Sequence, residues 1–473
     1  MAIDYRKPGR PPAAGGRLVP CLQATSSGVA YGALTFRVGT ADETVPTRGV
    51  THLVEHLVMR RAHAVDLRCN ASVGLVHTTF WAVGDEADVE GFLRRVEEAL
   101  RDLPVQHLDS ERALIAVEEE HHPVTVPSPV QHFGAQRYGV VAFEQQLDHL
   151  GPDLLRSWVR ERFTAGNAVQ TLVGVDRGRA AVRLPDGRFH PEPSVPAATG
   201  ARLHVDPGER TVSLTALLPA GWAVPVLAAV LDRAVANRLR HREHLAYGAG
   251  AGHLRITLDT SMLTITSDCV PGREADLVTA LLDELRRLEA DLDEETVLRA
   301  VGRVVDQAEE DAGSTGLTEE AWRLLHGRDV PASVTTLQRD LDALTTQDLR
   351  RLLRTVLDTA VLRTPVPVPA PAGFHLDTPA AVEPWPGREF TAADGRRATV
   401  SARGLQVGDV QVTWSSLVAA YVSGDRWSLV SRRGLRLDLR PGEFGAEFLA
   451  ELRDRVPTSV RIDRVRTENE EAT

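Results

Sequence analysis

His52, Glu55 and His56 lie close together in GVTHLVEHLVM, residues 49–59, a run that is otherwise largely apolar. On a helix, residues four apart share a face, so both imidazoles can offer a ring nitrogen to one ion, and Glu55 projects beside them. Neutral imidazole is a preferred zinc ligand, and a catalytic zinc keeps one position open for water. A carboxylate beside that water can take its proton, which the metal has already made more acidic. The same residues also fit a plain, partly buried helix that tolerates a few polar contacts.

A second segment bears on the choice. DSERALIAVEEEHHPV, residues 109–124, opens with a helix-capping pattern and carries acidic residues at 111, 118, 119 and 120. Glu111 and Glu118 are seven apart, close to two helical turns, so both face the same way. By itself this is an acidic, solvated helix face. Beside the HxxEH motif, Glu118 becomes the natural third ligand for Zn2+, and Glu111 an acid that orients a histidine or the water. Glu119, Glu120, His121 and His122 are its rivals for the metal.

The elements that must position these residues form a repeated plan. RLVPCLQATSSGVAYGALTFRVG alternates like hairpin strands and leads into the apolar stretch around His52. RTVSLTALLPAG leads in the same way into a long helical pattern from Ala223 to about Glu243. Each half is closed by a charged amphipathic helix, EADVEGFLRRVEEALRDL in one and READLVTALLDELRRLEADL in the other. This order reads as a diverged internal duplication, with its seam in the Pro- and Gly-rich residues 184–200. RTPVPVPAPAGF reads as a stiff, extended spacer, and the segment after it as short strands closed by the helix GAEFLAELRDRV, with RTENEEAT as a solvated tail.

Length and composition set the frame. A chain of 473 residues suggests two or three domains, and 43% hydrophobic with 25% charged residues is ordinary for a soluble globular protein. A formal charge of -11 gives no general reason to seek nucleic acid or anionic membrane. No apolar run is long enough for membrane insertion, and the polar start MAIDYRKPGRPPAAGG has no hydrophobic signal core, so the expected location is cytoplasmic. Three scattered cysteines, Cys21, Cys69 and Cys269, argue against a disulfide framework or a cysteine zinc knot.

With these residues in view, the chain resembles the inverzincin zinc peptidases of the pitrilysin and mitochondrial-processing-peptidase type, M16. HxxEH matches at His52, Glu55 and His56, and the later glutamate pair at Glu111 and Glu118. NASVGLVHTTFWA, Asn70 to Ala82, resembles the family's Asn-Ala strand, with Phe80 and Trp81 where tyrosines are common. LRHREHLAY, Leu239 to Tyr247, resembles the Arg and Tyr motif of the family's second domain, through Arg240 and Tyr247. The likeness covers about residues 15–365. It departs from the family in the short LVMRRAHAVDLRC between His56 and Asn70, and in the trailing segment, which looks like a bacterial pleckstrin-homology-like module.

The resemblance implies an α+β fold: two homologous α/β sandwich domains making one half of a clamshell, at 1–185 and 200–363. A Pro-rich linker at 364–383 and a β-rich accessory module at 384–465 complete the expected plan. It implies a zinc endopeptidase in which Glu55 activates water, with Arg240 holding a substrate carbonyl and Tyr247 donating to the oxyanion from the facing half. One half needs a partner, so a homodimer is expected, or a heterodimer with another M16 subunit. A non-catalytic peptide-binding or scaffold subunit is the alternative.

Overall fold

The computed structural model describes residues 3–6, 16–25, 29–121, 129–195, 200–206, 210–310, 314–328, 336–377, 383–440 and 442–463. Its first domain runs β1 (Ile3–Arg6), β2 (Cys21–Ala24), β3 (Ala30–Phe36), α1 (Val50–Ala62), β4 (Arg68–Val73), β5 (Thr78–Gly84), α2 (Glu86–Arg101), α3 (Leu108–His121) and β6 (Ala168–Val173). The strands form one six-stranded sheet in the order β1-β2-β6-β3-β5-β4, antiparallel except for the β2–β6 pair. Helix α2 starts where Asp85 accepts the Asp88 amide and buries Val89, Phe92, Leu93, Val96 and Leu100, spaced to make one apolar stripe. It packs close to β3 at Gly32, where a Cβ would stand 2.5 Å from Val89 Cγ1.

The second domain repeats the plan with β7 (Arg202–Val205), β8 (Val212–Pro219), α4 (Ala223–Ala236), β9 (Ala249–Arg255), β10 (Thr260–Ser267) and α5 (Glu274–Ala290). Then follow α6 (Glu294–Glu310), α7 (Ser314–Leu325), α8 (Thr346–Thr359), β11 (Val361–Thr364) and β12 (His375–Leu376). The sheet order is β9-β10-β8-β11-β7-β12. Core strands β7-β11-β8-β10-β9 repeat the first domain's β2-β6-β3-β5-β4, including the parallel pairing of the first strand with the last. This is the α+β architecture of two like sandwiches that the sequence implies.

Both expected linkers differ from their sequence reading. In the seam, His190 is buried: its N–H donates to Asn167 Oδ1, and its carbonyl accepts from the buried Arg37. In the Pro-rich stretch, Phe374 is buried in the second domain's core, and β12 returns to that sheet parallel to β7. Proline fixes the backbone and removes donors, but it does not prevent the next apolar side chain from being buried.

The chain divides into two compact units, the first drawn from residues 1–39, 51–127 and 152–377, the second from 40–50, 128–151 and 378–473. The second unit contains an antiparallel sheet, β13 (Arg388–Thr391), β14 (Arg397–Val400), β15 (Gly404–Val407) and β16 (Val410–Thr413). A second sheet holds β17 (Leu417–Ser423), β18 (Arg426–Ser431), β19 (Arg436–Leu439) and β20 (Arg461–Asp463). Helix α9 (Ala446–Arg455) buries Phe448, Leu449 and Leu452 in one core with Leu405 and Trp427.

Residues 384–465 alone are therefore not the whole of this unit, which corrects the expected accessory module. A second apolar cluster joins Ala419, Tyr421, Val430 and Ile462 to Val45 and Ala135, from the segments 40–50 and 128–151. The Ala135 amide donates to the Arg432 carbonyl at 3.0 Å. The physical reason is that β17 is buried along most of its length, on both faces, and a single closing helix covers only one. The expected solvated tail, RTENEEAT, lies outside the described residues. No helix among the described residues is long and apolar enough to cross a membrane.

Candidate metal centre

Helix α1 buries Val50, Leu53, Val54, Leu57 and Val58, the i, i+3, i+4, i+7, i+8 stripe of a core-facing helix. His52 and His56 are thereby turned to its flank, half-buried, with their rings 4.8 Å apart at 81°. The chain enters the helix through Gly49, whose φ of +98° lies in the left-handed region that glycine adopts most readily.

Helix α3 supplies the acids. It begins at Leu108, so Asp109 and Ser110 lie inside its first turn and do not cap it as the sequence pattern suggests. Glu118 Oε2 stands 3.6 Å from His52 Nε2 and 3.3 Å from His56 Nε2. Ligands about 2.0–2.1 Å from a tetrahedral zinc stand about 3.3–3.4 Å apart, so the Glu118–His56 edge matches that spacing and the Glu118–His52 edge is slightly longer. Glu55 Oε2 lies farther from both nitrogens, at 3.8 and 3.9 Å. Of the rival ligands, Glu119 is exposed, as Glu118 itself is, while His122 and the side chains of Glu120 and His121 lie outside the described residues.

Glu111 stands on the other side of the His56 ring, its Oε2 3.2 Å from Nδ1, and its Oε1 accepts from Arg60 at 2.6 Å. A carboxylate at Nδ1 favours the tautomer that keeps its proton there, leaving the Nε2 lone pair free toward Glu118. Sequence reasoning missed Arg60, one turn beyond His56. Glu55 is buried, and burial pushes its carboxyl up to about 7, with Glu118 and Glu111 adding to the rise and His56 opposing it.

Arg240 and Tyr247 come together in the second domain. After α4 the chain does not continue as regular α-helix to Glu243. It forms a π-helical turn, Asn237–Arg242, anchored by the buried Leu239. The Arg240 guanidinium lies 5.1 Å from the Tyr247 ring centre, and that tyrosine is 80% exposed. Asp268 accepts from the amides of Tyr247 and Gly248. This pair belongs to the second domain and the His52 cluster to the first. Asn70 is exposed on the edge strand β4 opposite Trp81, and Phe80 is buried against Phe36.

A second convergence of ligand-type atoms, His77, Glu192 and His326, lies in the same unit. No spacing rule finds it, because the three come from three separate segments.

Residues 218–303 match the family described as the Peptidase M16 inactive domain. An uncharacterized zinc protease of Mycobacterium leprae is 26% identical, the match covering 58% of this chain and 70% of that one. Among solved structures, a protease from Helicobacter pylori superposes with a TM-score of 0.60 at 16% identity, over 77% of this chain and all of that one. A peptidase M16 inactive domain from Pseudomonas fluorescens gives 0.60 at 15% identity, over 77% of this chain and 97% of that one. With an M16 domain matched at 218–303 and its strand plan repeated in the domain before it, this chain is similar to the M16 peptidases and has their fold.

Proposed function

We propose that the chain is a zinc-dependent endopeptidase whose metal is held by His52, His56 and Glu118. The observation that carries this reading is the approach of Glu118 to both imidazole Nε2 atoms while Glu111 engages Nδ1 of one of them. When bound, zinc supplies Lewis-acid polarisation of a peptide carbonyl and makes water more acidic. Glu55 takes a proton from the attacking water and passes it to the amine nitrogen as the C–N bond breaks. Glu111 orients His56, and Arg60 offsets the charge of Glu111.

A peptide substrate is also supported by β4, the edge of the first sheet, which begins after only residues 63–67 beyond α1. An edge strand offers backbone groups that an extended peptide can pair with. Arg240 and Tyr247 are assigned to substrate in a facing half, Arg240 at a carbonyl and Tyr247 at the oxyanion. Because one chain carries both the zinc motif and the Arg–Tyr pair, a homodimer can complete two such sites, and a heterodimer with another M16 subunit is the variant of this assembly.

One observation favours a second reading, a non-catalytic peptide-binding subunit: the matched family is described as the inactive domain. That match covers 218–303, whereas the ligands stand at 52, 56 and 118. Zinc content and peptide cleavage decide between the two. In the first reading Glu55→Gln keeps the metal and slows cleavage about 10²–10⁴-fold, while Glu118→Ala loses most of the zinc. Zinc-loaded wild type that cuts no unstructured peptide establishes the second.

A further inference from the structure

The cluster of His77, Glu192 and His326 joins three segments of the first unit: the approach to β5, the seam between domains and the end of α7. His326 Nε2 lies 3.2 Å from His77 Nε2 and 3.3 Å from Glu192 Oε1. All three ligand atoms lie within 4.8 Å of one another. The surroundings are closed and partly aromatic. Trp322 stacks on the His77 ring at 4.4 Å, and Phe189 meets His326 edge-on at 5.4 Å.

A single hydrogen bond at His326 Nε2 cannot serve both neighbours fully. One imidazole nitrogen carries either a proton or a lone pair. If His326 Nε2 is protonated, its single hydrogen cannot point fully at both His77 and Glu192. If it is bare, its one lone pair can accept fully from His77 or from a protonated Glu192, but not from both. An ion between the three atoms takes one lone pair from each at once, and the two edges at His326 lie close to the roughly 3.3–3.4 Å expected for ligands of tetrahedral zinc.

We propose that His77, Glu192 and His326 form a second zinc site that pins the seam and the end of α7 to the first sheet. Glu192 is fixed by the Leu258 amide, which donates to both its oxygens at 3.2 and 3.1 Å. Metal-binding carboxylates are commonly held by such outer hydrogen bonds.

The nearby Arg37 opposes any cation. It is buried and bonded to the carbonyls of Val76, His190 and Pro191. That field, with only one carboxylate among the ligands, disfavours Mg2+ and Ca2+, which need several hard oxygens. It leaves the site to ions that bind imidazole strongly.

The test uses the full chain with the other proposed ligands removed, His52→Ala and His56→Ala together. Loaded with Co2+ or Zn2+ and dialysed, this variant is expected to keep about one ion per chain, to show tetrahedral Co2+ absorption, and to melt at a higher temperature with zinc than without. Adding Glu192→Gln, which is nearly isosteric, or His326→Gln should abolish all three effects, with circular dichroism confirming the fold. No ion in the double variant, or one indifferent to both further changes, overturns the proposal. The two readings fail separately: wild type holding one ion that His326→Gln removes and the His52, His56 pair does not would end the catalytic reading and keep this one.

Discussion

Glu111 meets His56 at Nδ1, and that bond holds the ring with Nε2 toward Glu118. Glu111→Ala removes that bond and leaves Arg60 without its carboxylate, so zinc affinity should fall about 10–100-fold. Glu111→Gln, which can still accept from Nδ1–H, should lose less. Competition with a chelating dye measures both, and wild-type affinity in Glu111→Ala would remove the positioning role. The HxxEH set and the Glu111–Glu118 spacing were legible because they depend on helical geometry, which is local. Arg60 and the His77 trio were not: their meaning arises only when distant segments pack.

At the scale of elements, the duplicated strand and helix pattern could be read because alternation and amphipathic stripes repeat in both halves. The π-helical turn at Asn237–Arg242 could not, since the sequence continues a helical pattern through it. The Pro-rich stretch misled for another reason, because chain stiffness says nothing about whether Phe374 finds a core. The α2–β3 contact gives a direct test of packing. At Gly32 an added methyl meets the stiff, buried Val89 and then Leu93 at 3.1 Å. Gly32→Ala should destabilise the protein by about 1–3 kcal/mol. A denaturant midpoint unchanged from wild type would mean that α2 moves aside freely.

For the whole molecule, a chain ending near Pro369 would lose Phe374 and β12 from one sheet and the partners of Val45 and Ala135 from the other unit. It should be poorly soluble, and proteases should cut within 128–151. A soluble, protease-resistant product would restore the separable accessory module. Assembly has its own test. Mixing inactive Glu55→Gln with inactive Tyr247→Phe subunits should recover at most about a quarter of wild-type activity if each site draws on two copies. No recovery despite measured subunit exchange would detach Tyr247 from a shared site.

The discontinuous second unit also constrains how the protein can be made. The Ala135 amide bonds to the Arg432 carbonyl across 297 positions of chain. At about 5–20 residues per second, the ribosome needs roughly 15–60 s to travel between them. Throughout that interval the segments on either side of α1 and α3 lack the strands that finally cover them, and Val45 and Ala135 remain open to wrong partners. The first unit can begin to form as soon as its own chain emerges, but closure of the second must await nearly the last strand. Chaperone demand and aggregation during expression should therefore concentrate in that late window, and slowing translation should lengthen it.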